Sequence, residues 1–149
     1  MLDRAIKESF AARCGPGDLE RVRQYFLQNG GLRCIYCLSD HPSRWDHLHA
    51  VSRGGDTVPG NLVPACQRCD DSKQDKDIDE WVLGKSKHRP TAESLVRIQA
   101  EVKAYQDHFS YEPSEFDSKL TEVQRATYAR FRKEIESMRA HLKKEGLLK

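Results

Sequence analysis

Apolar positions along this chain fall at helical spacing towards both ends and in short runs between them. Residues 1–13 allow a short helix that Gly15-Pro16-Gly17 ends. Leu19, Val22, Phe26 and Leu27 then recur at helical spacing, with Asp18 as N-cap and Asn29-Gly30-Gly31 as the stop, which predicts a second helix over 19–28. Further on, residues 44–51 read as a strand, Gly54-Gly55-Asp56 as a loop, and Asn61-Leu62-Val63-Pro64 as a short return strand. From Cys66 a helix is expected to run to about Leu83, and a basic linker, Lys85 to Arg89, follows between Gly84 and Pro90. Leu95, Ile98, Val102, Tyr105 and Phe109 then repeat at alternating steps of three and four. After a turn near Pro113, Leu120, Val123, Phe131, Ile135, Met138 and Leu142 nearly do the same, so an antiparallel helical hairpin is predicted.

The pattern is α+β, in three expected segments: an N-terminal helix pair (1–33), a small central finger (34–84) and the helical hairpin (85–149). With 38% hydrophobic and 32% charged residues, the finger is too small to bury a full core, so a structural metal and flanking helices are expected to support it. The net charge of +2 permits nucleic-acid binding without arguing for it. Met1-Leu2-Asp3-Arg4 lacks the apolar run of a leader, and no segment approaches the roughly 18 apolar residues of a membrane span, so a soluble, cytoplasmic protein without membrane contact is expected. The last predicted helix carries Arg125, Arg130, Arg132, Lys133, Arg139, Lys143 and Lys144. That face is either solvated or a surface for nucleic acid or a partner.

Cysteine usage sharpens this outline. Of five cysteines, four form two C-x-x-C pairs, Cys34/Cys37 and Cys66/Cys69, while Cys14 beside a Gly-Pro-Gly turn reads as a spare thiol. Two such pairs in a reducing compartment point to one tetrahedral structural zinc rather than to disulfides. A redox dithiol is the alternative, but the βαβ setting of such motifs is missing. A zinc that closes so long a loop fixes where the loop's ends lie, which is useful if the loop carries a site.

The enclosed segment does carry reactive residue types: Asp46-His47, Asn61, and Asp70 directly after the second pair. A carboxylate–imidazole pair, an amide and a second carboxylate suit metal-assisted phosphodiester hydrolysis. The order Asp46-His47, Ser52-Arg53-Gly54-Gly55, Asn61-Leu62-Val63, C-x-x-C and Lys73 resembles the HNH endonuclease family over about residues 34–81. The resemblance implies a ββα-metal finger: two antiparallel strands and a helix around one catalytic Mg2+ or Mn2+. It implies His47 as general base, Asp46 as a metal ligand from the first strand, and Asn61 as the brace of the loop between the strands. Asp70 falls where the family has His or Asn, so two carboxylates, Asp46 and Asp70, would hold the ion. Ala50 replaces a frequent Pro. Lys73, Arg53 and His49 are candidate substrate contacts. Adjacent strand residues face opposite ways, so Asp46 and His47 can share a phosphate only where the strand ends or distorts.

The activity so implied is hydrolysis of DNA to 5′-phosphate and 3′-hydroxyl ends, by nicking or double-strand cleavage. Two other readings stay open: a non-catalytic zinc module that binds DNA or protein, and an accessory nuclease subunit. Residues 90–149 are long enough to join a larger assembly or to form a homodimer. Restriction, phage packaging, mobile-element homing and anti-phage defence all use such fingers.

Overall fold

A computed structural model describes residues 1–149. It is α+β, with six helices and one two-stranded antiparallel sheet: α1 (Leu2–Phe10), α2 (Asp18–Gln28), β1 (Arg44–His47), β2 (Leu62–Ala65), α3 (Gln67–Lys73), α4 (Ile78–Leu83), α5 (Ala92–His108) and α6 (Glu122–Lys144). The chain divides into two compact units, residues 1–115 and 116–149.

In the first unit, α2 begins one residue earlier than expected. Asp18 does not cap it but turns back, its Oδ2 accepting from Gly15 N–H at 2.8 Å, and Gly17 at φ +82° takes the N-cap position. β1 pairs with β2 in the register Arg44↔Ala65, Trp45↔Pro64, Asp46↔Val63 and His47↔Leu62. The first strand ends at His47, well short of the predicted Val51. Beyond it the chain folds over itself in a short 3-10 turn at Val51–Arg53. There Gly55 lies so close to His49 that a Cβ would sit 1.9 Å from the His49 carbonyl oxygen. The helix expected over 66–83 breaks in two. Gln74, at φ +56°, ends α3, and α4 starts after Asp77.

The finger β1–β2–α3 buries its apolar side against helices from both ends of the unit. Val22 and Phe26 of α2, Ile35 and Tyr36 between the first cysteines, Val63 of β2, Trp81 of α4, and Ile98 and Tyr105 of α5 form one buried cluster. The α5 stripe packs on the finger through Ile98, Val102, Tyr105 and Phe109. Tyr105 donates its hydroxyl to Leu62 O at 2.6 Å, and Arg97 donates to Ile35 O and Tyr36 O, both at 3.0 Å. Truncating a fully buried aromatic such as Trp81 costs about 3–5 kcal/mol, so the flanking helices belong to the finger's stability.

In the second unit, Thr121 caps α6 and Gln124 returns the bond in a capping box. Arg125 donates to Asp117 O at 3.1 Å, and the Phe116 and Tyr128 rings meet edge-on at 5.0 Å. No residue of α6 is buried. Its basic side chains lie in water beside i,i+4 pairs such as Arg132–Glu136. No helix of the protein is long and apolar enough to cross a membrane.

Candidate functional site

The four paired cysteines converge. Their sulfurs lie within 4.8 Å of one another, with Cys37 and Cys66 Sγ 3.7 Å apart. A tetrahedral zinc about 2.3 Å from each thiolate spaces them about 3.8 Å apart, so the donor set fits. The first pair sits on a tight turn in which Leu38 N–H donates to Cys34 O at 2.8 Å, and the second pair opens α3. The Cys69 thiol, hydrogen-bonded to Cys34, pulls the Cys34 thiol strongly down, so the cluster favours a thiolate. The His88 ring nitrogen lies 3.1 Å from Cys69 Sγ, and Ser72, Ser86 and Trp81 tie the linker around His88 to α3.

Asn61 is fully buried and braces the loop between the strands. Its Oδ1 accepts from His49 N–H at 2.9 Å, and its Nδ2 donates to His49 O at 2.9 Å and to Asp56 O at 2.6 Å. The brace sets where the loop places Thr57, whose Oγ1 lies 2.8 Å from His47 Nε2. In the tautomer that carries its proton on Nε2, Thr57 accepts it, and Nδ1 keeps the lone pair that a base requires. Burial, with the Lys73 ammonium, holds the His47 pKa below its ordinary 6.5, while Asp70 opposes this. The imidazole is neutral at neutral pH. It opens into a cleft of about 460 Å3 that it shares with Arg4, Glu8, Arg13, Cys14 and Thr57.

Asp46 turns the other way. It is 5% exposed, receives the Tyr36 hydroxyl at 2.5 Å and pairs with Lys73 Nζ at 3.0 Å. Lys73, 0% exposed, also donates to His47 O at 2.8 Å. Burial raises the Asp46 pKa, against the pull of Lys73 and Tyr36. Burial, with Asp46 nearby, keeps Tyr36 well above its usual value, so the phenol remains a donor.

The other expected residues are occupied elsewhere. Asp70 is bound by Arg44 Nη1 at 2.8 Å, which also holds Asp71 at 2.7 Å. Asp46, His47 and Asp70 do not form a ligand cluster; the four cysteines are the one group with that geometry. The expected divalent-ion donors Asp46 and Asp70 thus do not fit that role as arranged. Lys73, expected at the substrate backbone, is sealed inside because Asp46 draws its ammonium inward. Arg53 is committed to Glu80 at 2.5 and 2.9 Å. His49, expected on the face of His47, lies beyond the strand's end and lines a different cavity, its Nδ1 3.3 Å from Asp77. No sequence motif marks Thr57, Arg4 or Arg13; Tyr36 alone carries a signal, an aromatic between two of the paired cysteines.

Residues 34–76 match the family model described as HNH endonuclease. No curated protein and no solved structure matches the chain.

Proposed function

We propose, taking residues 34–76 as an HNH endonuclease domain, that the protein hydrolyses DNA phosphodiester bonds in the cleft that holds His47. An HNH domain with a four-cysteine cluster supports a nuclease or nucleic-acid-binding role built on a zinc scaffold. The observation that carries the hydrolytic reading is His47: neutral, half-buried, steadied at Nε2 by Thr57, fixed through its own carbonyl by Lys73, and open to a cleft. Its Nδ1 takes the proton of a water that attacks phosphorus in line; the P–O3′ bond breaks and the departing 3′ oxygen takes a proton from solvent, leaving 5′-phosphate and 3′-hydroxyl ends. What this chain's own residues do is hold the imidazole and remove the proton.

Incubating plasmid with the zinc-loaded protein in Mg2+, Mn2+ or EDTA, with His47→Ala alongside, tests the reading. Nicking or linearisation that the substitution abolishes is expected; cleavage undiminished by it would overturn the assignment. The second reading, a DNA-binding module without hydrolysis, is favoured by one observation, the engagement of Asp46 by Lys73 and Tyr36. It predicts metal-independent binding and intact plasmid.

A further inference from the structure

Besides His47, Val51 and Thr57, the cleft is lined by the N-terminal segment, for which the chemistry above has no use. That segment is stitched to the loop that steadies His47. Thr57 N–H donates to Ala12 O at 2.9 Å, Ala12 N–H donates to Asp56 Oδ1 at 2.7 Å, and Arg13 and Thr57 form a parallel bridge. The residue whose hydroxyl touches His47 Nε2 is therefore backbone-paired to Arg13. Arg4, from α1, lines the same cleft, its Nε 2.6 Å from Glu8 on the next turn.

We propose that Arg4 and Arg13 form the phosphate-holding wall of this cleft, gripping a nucleic-acid backbone while His47 acts on it. The inference deepens the hydrolytic reading and rests on it for the bond that is cut. Three observations favour it. First, the arginines of β1 and of the loop after it are already spent, Arg44 on Asp70 and Asp71 and Arg53 on Glu80. Arg13 is exposed and takes part in none of the molecule's ion pairs. Second, the pair Arg4–Glu8 lies at the surface, its side chains 71% and 39% exposed, and such pairs exchange readily for a better anion. Third, the two guanidinium groups that line the cleft outnumber its one carboxylate, Glu8, and leave it cationic, the charge that a phosphodiester requires.

The test uses the full chain. Fluorescence anisotropy would follow a short DNA duplex binding to His47→Ala protein, across a salt series. The same protein would also carry Arg13→Ala, Arg4→Ala, both together, Arg13→Lys, or Arg23→Ala as a control on the exposed face of α2. The double variant is expected to weaken binding at least tenfold. It should also lower the log–log salt slope by about 0.9 for each phosphate no longer neutralised. Arg13→Lys should keep most of the slope, and Arg23→Ala should match the parent. Zinc content and thermal melting identify any variant that misfolds.

Cleavage kinetics in the His47 protein complete the test, with KM rising more than kcat falls. An unchanged slope, a loss no greater than that of Arg23→Ala, or no DNA binding at all would overturn the proposal. Arginine-dependent binding without cleavage would retain the wall and remove the hydrolytic reading. Cleavage indifferent to both arginines would do the reverse.

Discussion

Asp46 and His47 are neighbours in sequence and opposites in setting. Behind the strand, Asp46 is enclosed with Lys73 and Tyr36 in a polar triad cut off from water. In front, His47 faces a cleft with Thr57 and two arginines. Strand alternation parts the dipeptide into an enclosed strut and an imidazole that faces the cleft. The strut still reaches the backbone of His47. Tyr36 comes from the first cysteine turn and Lys73 from the end of α3, so the triad links both cysteine-bearing segments to the backbone of His47.

Substituting the two neighbours separately gives the largest contrast. His47→Ala is expected to lower cleavage about 100- to 10,000-fold with little change in the urea midpoint. Asp46→Asn should do the reverse, lowering the midpoint while the folded fraction still cuts. A well-folded Asp46→Asn protein that has lost all metal-stimulated cleavage would return Asp46 to the ligand set and break the comparison.

Lys73→Met probes the strut alone. It leaves a buried carboxylate without its counter-charge, a change that costs about 3–5 kcal/mol, measured by urea unfolding of the zinc-loaded protein. Adding Asp46→Asn should recover part of that loss, because the orphaned charge is then gone. A cost below about 1 kcal/mol, on the scale of a surface pair, would mean that the enclosed face is not held by charge.

How much of this contrast could be read from the sequence depends on how far its interactions reach. The cysteine cluster is legible because C-x-x-C pairs are local turns whose spacing the metal dictates. Likewise, α2 and α5 show in their apolar spacing. The brace at Asn61 came from the resemblance rather than from its own surroundings. What was illegible is set by contacts across the fold. No Gly or Pro announces the break at Gln74, yet it separates α3 from α4 and lets Lys73 end a helix facing inward. The α5 stripe said only that some apolar surface must cover it. That the finger does so follows from Tyr105 reaching Leu62 and Arg97 reaching the cysteine turn. Arg44 and Asp70 are remote in sequence and meet because β1 lies against the start of α3.

The loop in front of the strand gives a smaller effect. Asn61→Ala removes three hydrogen bonds and strands buried backbone groups of His49 and Asp56, at about 2–3 kcal/mol, readable by thermal unfolding. Because Thr57 rides on the same loop, kcat should fall as well. Loss of stability with kcat intact would show that the brace supports the fold and not the position of His47.

The smallest effect is one of pH, and it separates Asp70 as a neighbour from Asp70 as a metal ligand. A base must be unprotonated, so the rate falls as pH drops through the His47 pKa. Burial places that value below 6.5, and the acid limb of kcat/KM is expected below it too. Stability follows the same sign: the unfolded chain binds this proton more readily, so the folded state weakens as pH falls from 6.5 through the lowered value. Asp70 acts in the opposite direction, raising the His47 pKa. Asp70→Asn should therefore move the acid limb to still lower pH and leave the plateau standing, since its partner Arg44 is 41% exposed and is readily rehydrated. Collapse of the plateau, restored by raising Mn2+, would instead give Asp70 the ligand's role and make the ion pair with Arg44 a resting arrangement that the metal displaces.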